Sequence, residues 1–385
     1  MPALYDQVDP QGLLEYSVVY TDRALNHMSH NFQSVMCDLS SILKQTYNAH
    51  SAVVVPGSGT YGMEAVARQF AKDKKVLVIR NGWFSFRWSQ ILDRSGLPES
   101  TTVLKASRTS DSATAPFSPA AIEEAVEIIK REKIDLVFAP HVETSAGMIL
   151  PDDYISALAD AVHSVGGLMV LDCIASGTIW VDMQKTGVDL LISAPQKGWS
   201  GPPCAGLVMM SDRARTAIDG TTSDSFACDL KQWLQIMEAY QNGGHAYHAT
   251  MPTESLRVFR DVMKETVDFG IDLARERQQQ LGDAVRALLK NKGIQSVAAE
   301  GFQAPGVVVS YAASPDVKTG KVFAERGMQI AAGVPLQCDE GDNFSTFRLG
   351  LFGLDKLQNV DRTVASLKTV IDEVFAESAA EKAPA

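Results

Sequence analysis

Between about residues 30 and 210, short runs of uninterrupted apolar residues alternate with longer stretches whose apolar positions recur at three- and four-residue steps. The short runs lie at 52–55, 75–79, 135–139, 168–171, 190–193 and 206–210, with helical patterns at 63–71, 119–132 and 151–165 among the intervening stretches. A strand that is apolar on both faces has no side to show to water, so it belongs in a sheet covered above and below. Alternation with helices supplies that cover and makes the sheet mainly parallel, an α/β architecture in which ligands gather at the carboxyl ends of the strands. After about residue 255 the pattern changes. A long helical stretch at 254–290, strand candidates at 306–310 and 346–350 and a last helix near 360–375 read as a smaller α+β domain. The expected organisation is an N-terminal segment (1–30), a large domain (31–255), a small C-terminal domain (256–376) and a disordered tail (377–385).

At 385 residues the chain is long enough for two domains, and 45% apolar with 21% charged residues is the balance of an ordinary globular enzyme. A net charge of −11 without a dense basic block argues against nucleic acid as a partner. No apolar run reaches the roughly 18–20 residues a membrane span needs, and the first residues lack the basic-then-apolar pattern of a secretory leader, so a cytoplasmic location is expected. Five scattered cysteines, Cys37, Cys173, Cys204, Cys228 and Cys338, contain no CxxC pair. That spacing argues against a zinc site and a disulfide framework, and each is read as a small buried hydrophobe.

Four features fall in or just after the strand candidates. Gly57, Ser58, Gly59 and Thr60 open a helical stretch, where glycines let the backbone approach an anion and hydroxyls add hydrogen bonds; an ordinary glycine-rich turn is the alternative. Asp172 follows a buried strand and requires a positive partner or strong donors, which a cap, an ion pair or a protonated pyridine nitrogen would each supply. Lys197 follows the next strand and is succeeded by a Gly/Pro-rich stretch, 198–203, that denies it regular structure. A lysine so enclosed can condense with an aldehyde and shuttle a proton, whereas most lysines sit on solvated faces. Arg348, between Phe347 and Leu349, has a planar fork that suits a carboxylate, with a structural salt bridge as the alternative.

Together with the segments 57–65, 81–87, 141–147, 172–176, 196–197, 247–252 and 347–350, these residues resemble the class V aminotransferases of the fold type I pyridoxal phosphate enzymes, most of all the alanine/serine–glyoxylate group. The resemblance runs from about Asn31 to Gly353. It implies pyridoxal 5′-phosphate held covalently by Lys197, with Asp172 on the pyridine nitrogen, Ser58, Gly59 and Thr60 on the phosphate, and Phe84 stacked on the ring. By the same resemblance Thr144 lies near the phenolic oxygen, Gln196 lies beside the phosphate, and Arg348 grips the substrate carboxylate. Tyr247 and Thr250 match positions that reach a neighbouring subunit's cofactor, which implies a homodimer with shared sites.

One segment departs from the family pattern. Where the family has a Gly/Pro-rich cover over the substrate, this chain has LEYSVVYTDRALNH at 14–27, so Tyr20, Arg23 or His27 is expected to touch the substrate side chain, with packing at the dimer interface as the alternative. The expected activity is transfer of an amino group from a small amino acid such as alanine or serine to a 2-oxo acid such as glyoxylate or pyruvate. A lyase or cysteine desulfurase on the same fold is the competing reading. For a desulfurase Cys338 is the candidate nucleophile, in acidic surroundings that disfavour a thiolate.

Overall fold

The computed structural model describes residues 8–380. Residues 1–7 of the N-terminal segment and 381–385 of the tail lie outside the described residues, as do the side chains of 377–380. The main sheet comprises β1 (Ser51–Pro56), β2 (Lys75–Arg80), β3 (Ser100–Lys105), β4 (Leu136–Pro140), β5 (Leu168–Asp172), β6 (Leu190–Ser193) and β7 (Ala205–Met210). Their spatial order is β1-β7-β6-β5-β4-β2-β3, and β7 alone runs against its neighbours. Every residue of β4, β6 and β7 is buried, as doubly covered strands require. The edge strand β3 is different: Ser-Thr-Thr-Val-Leu-Lys buries only Leu104, and its polar composition hid it from the apolar-run reading.

Covering helices are α1 (His30–Tyr47), α2 (Gly59–Phe70), α3 (Trp83–Ser95), α4 (Ile122–Glu132) and α5 (Asp152–Ser164), followed by α6 (Leu230–Gln241). The helical stretch expected at 254–290 is two helices, α7 (Thr253–Phe269) and α8 (Ile271–Asn291). They part at Gly270, whose φ of 106° is open to glycine at little cost. A second sheet, β8 (Val307–Tyr311), β9 (Ala331–Ala332) and β10 (Thr346–Gly350), has the order β8-β10-β9 and is antiparallel throughout. With α8 and α9 (Val360–Ala380) it encloses a separate apolar cluster that includes Leu281, Val308, Phe347, Leu349 and Ile371. No helix among the described residues is long and apolar enough to cross a membrane.

The register of the sheet places the chemistry. Asp172 ends β5 opposite Pro140 of β4 and Ile192 of β6, so the three strands finish at one level. Because β1 and β6 are each antiparallel to β7, they point the same way, and the loop after β1 opens on the same edge as the loop after β6. Helix α2 leaves that edge pressed onto β7 through two glycines. A Cβ at Gly206 would stand 2.7 Å from Gly62 N and 2.8 Å from Ser58 O, both backbone atoms that cannot swing aside. We expect Gly206→Ala to push α2 off the sheet and cost about 1–3 kcal/mol, read as a lower denaturant midpoint with the slope unchanged. An unchanged midpoint would show that this close approach is not required.

Candidate active site

Along the carboxyl edge a cavity of about 170 Å³ is lined by Ser58, Gly59 and Thr60 from the start of α2, Phe84 and Arg87 from α3, and Thr144 from the loop after β4. Asp172, Gln196 and Lys197 complete its polar lining. Segments from five different parts of the chain meet here, the widest gap in sequence between consecutive lining residues running from Arg87 to Val142.

The cavity's lining is mixed in charge. Ser58 occupies the N-cap of α2, yet its hydroxyl makes no capping bond. The start of α2 therefore offers hydroxyl donors and a positive helix end, a setting for an anion. Arg87 strengthens it, donating to Thr60 Oγ1 at 2.9 Å with its guanidinium 5.4 Å from the Phe84 ring centre. The lining also holds Asp172, only 6% exposed, whose Oδ1 accepts one hydrogen bond, from Ile174 N–H at 2.9 Å. Among the described residues it forms no ion pair and caps no helix, so neither of the structural roles open to it in the sequence is filled there. Burial, opposed by the Ile174 N–H and reinforced by the Glu143 charge, pushes its pKa up to about 7.

Lys197 lies four residues beyond β6, half-buried, with Nζ 5.3 Å from the Phe352 ring centre. Burial, followed by the nearby Arg348 charge, lowers its pKa, which favours the neutral nucleophilic amine. Arg348, on β10, donates through Nε to Ala332 O at 2.8 Å and holds its guanidinium 5.6 Å from the Phe84 ring centre. It makes no salt bridge with the described residues, so the structural-pair alternative is not what the fold uses, and its terminal nitrogens remain available to an incoming carboxylate.

The family model described as aminotransferase class V matches residues 10–341. The chain belongs to the class V aminotransferases. It is a pyridoxal phosphate-dependent enzyme with the fold type I architecture. The 2-aminoethylphosphonate–pyruvate transaminase of Paraburkholderia phymatum is 30% identical over 354 residues, covering 90% of this chain and 88% of that one. The alanine–glyoxylate aminotransferase of Oryctolagus cuniculus is 24% identical, covering 90% and 86%. Among solved structures, pyridoxamine–pyruvate aminotransferase from Mesorhizobium loti superposes with a TM-score of 0.77 at 15% identity, covering 92% of this chain and 88% of that one.

The aminotransferase's cavity fits its cofactor in two respects. The donor-rich start of α2 suits a phosphate, and the lone carboxylate of Asp172 suits a protonated ring nitrogen. Gln196 Oε1 is buried in the same lining without a hydrogen-bond partner among the described residues. Residues in the resembling segments to which the sequence assigned no role also line the site: Arg87, Met63, Val142, Ile174 and Ala175. Arg87 follows Phe84 by three residues, a spacing that puts both on one helix face once the start of α3 is known.

Other candidates lie elsewhere. Tyr247, 54% exposed, hydrogen-bonds Thr250 Oγ1 at 3.0 Å, and neither lines the cavity. Tyr20, Arg23 and His27 do not line it either. Tyr20 donates to Met251 O at 3.3 Å, and the His27 ring packs against Tyr20, His245 and Tyr247. All five cysteines are free. Cys338 is buried, its Sγ donates to Arg80 O at 3.3 Å, and burial followed by the Glu143 and Glu340 charges pushes its thiol up to about 12, so it offers no thiolate.

Asp172 generates a prediction for the enzyme stripped of cofactor. Its folded pKa of about 7 exceeds the unfolded value of about 3.9. The protonated form therefore stabilises the fold fully below about pH 4, and that contribution is lost as pH rises through about 7. Relative to Asp172→Asn, wild-type apoenzyme should lose stability across this window in denaturant titrations, and saturating pyridoxal phosphate should remove the loss. A difference between the two proteins that stays level from pH 4 to 8 would contradict the assignment.

Proposed function

We propose that the enzyme moves the amino group of a small amino acid, such as alanine or serine, to glyoxylate or pyruvate. The observation that carries this reading is the convergence of Lys197, Asp172 and the α2 N-terminus on one cavity with Arg348 beside it. Relatives named for pyruvate and glyoxylate as acceptors support the choice of 2-oxo acid.

When bound, pyridoxal phosphate supplies an aldehyde that takes up amines and a ring that draws electrons from the attached carbon. Ser58, Gly59, Thr60 and Arg87 would hold its phosphate, with Gln196 beside them. Phe84 would lie on the ring face, and Thr144 near the phenolic oxygen. Asp172 would keep the ring nitrogen protonated. In return the cation would satisfy a carboxylate that the protein leaves without a partner. Lys197, with its lowered pKa, would hold the aldehyde covalently at rest. Once a substrate amine displaces it, the freed amine would take the proton from the substrate's α-carbon and return it to the cofactor side, the role of a positioned general base. Arg348 would clamp the substrate carboxylate and so fix which α-carbon bond faces Lys197.

The same reading makes the active enzyme a homodimer in which Tyr247 and Thr250 of one copy reach the cofactor phosphate of the other. The packing of Tyr20 on His27, and of His27 on Tyr247, would then carry the N-terminal segment to the second copy's substrate. Five unpaired cysteines suit a reducing compartment, and we place the enzyme in the cytoplasm.

Single-turnover mixing of the loaded enzyme with alanine, serine, 2-aminoethylphosphonate and aspartate tests the reaction type and the donor together. A small amino acid should bleach the visible band of the aldehyde form and release one equivalent of the matching oxo acid, and glyoxylate or pyruvate should restore the band. Arg348→Gln should raise the concentration of carboxylate donor needed by about tenfold or more. Release of ammonia or sulfide in place of the oxo acid would move the enzyme to the lyases.

A further inference from the structure

Glu143 is fully buried at the end of the two-residue strand Val142–Glu143, in the connection between β4 and α5, one residue before Thr144. Five donors converge on it. Oε1 accepts from Phe84 N–H at 3.2 Å, Ser145 N–H at 3.0 Å and the Ser145 hydroxyl at 2.7 Å. Oε2 accepts from Ser85 N–H at 2.8 Å and the Ser85 hydroxyl at 2.7 Å. No cation pairs with it among the described residues, so these hydrogen bonds are what makes its burial tolerable.

Two of the donors are first-turn N–H groups of α3, which ordinarily take a cap from their own N-cap residue. Here that residue is Gly82, which has no side chain to offer. A Cβ at Gly82 would overlap Ser145 Oγ and the Glu143 side chain, so the absence of a local cap is what makes room for the distant one. From the turn thus capped project Phe84 and Arg87, the ring and the cation of the cofactor cavity. The far end of the same connection is also held: Gly147 O accepts from Arg286, whose guanidinium reaches Ala304 O and Val307 O of the smaller sheet's side. The connection is therefore fixed from behind while it fixes α3 in front.

We propose that Glu143 is a positioning residue of the aminotransferase: its carboxylate caps α3 from a separate segment and thereby sets Phe84 and Arg87 against the cofactor. The inference rests on the assignment of Phe84 and Arg87 to cofactor binding. Glu143 does not touch the cofactor cavity itself, and its influence passes through the first turn of α3.

The test is a double-mutant cycle on pyridoxal phosphate affinity, with the induced circular dichroism of the bound cofactor as second readout. Glu143→Gln keeps the volume but turns an NH₂ group toward N–H donors. It should weaken binding about tenfold and change the induced signal. Phe84→Ala with Arg87→Gln should weaken binding by at least as much, and adding Glu143→Gln to that background should change it less than about threefold. Ser145→Ala, which removes one donor and leaves the carboxylate, should show a smaller loss that also vanishes in that background, and it carries the test if Glu143→Gln does not fold. Effects that multiply, with an unchanged induced signal, would overturn the proposal and leave Glu143 a structural residue. Wild-type affinity in the Phe84→Ala, Arg87→Gln protein would instead overturn the assignment beneath it.

Discussion

The site depends on a carboxylate that the protein buries and does not pair. Asp172 closes β5 with one hydrogen bond and no counter-ion among the described residues, and a cationic ligand would restore its charge at neutral pH without that penalty. The fold supplies the rest of that ligand's requirements on the same edge: an uncapped helix start for an anion, a half-buried amine, and an arginine whose fork is free. Each would be costly alone. Together they describe one molecule, with a phosphate at one end and a protonated ring nitrogen at the other.

The sequence made the large sheet legible because its central strands are apolar on both faces, a pattern that few other structures tolerate. Lys197, Asp172 and Ser58–Thr60 were legible for a related reason: each follows such a strand, so their common level at the sheet edge follows from the topology. Edge strand β3 escaped because it buries only Leu104 and carries three hydroxyl residues. The break at Gly270 escaped because the apolar periodicity continues through it.

What could not be read were relationships between segments. Arg87 closes one of the resembling segments without a role assigned to it, and only the approach of α2 to α3 sets it against Thr60. Glu143 sits 58 residues from the Ser85 backbone that it caps, and no local pattern links the two. Gly82 recorded the arrangement indirectly, as a cap position with nothing to cap with. Tyr20 and His27 carry polar groups suited to substrate contact, but the chain folds Tyr20 onto His27 and His27 onto Tyr247, so a role at a substrate would depend on a second copy.

The claim that joins these observations is that the amine delivered by β6 is the covalent anchor of the cofactor. Borohydride reduction of the loaded enzyme, followed by proteolysis and mass mapping, locates that anchor directly. The account predicts one pyridoxyl group per chain, fixed to the Nζ of Lys197 in the peptide that joins β6 to β7. A stable adduct on any other lysine, with Lys197 recovered unmodified, would contradict it.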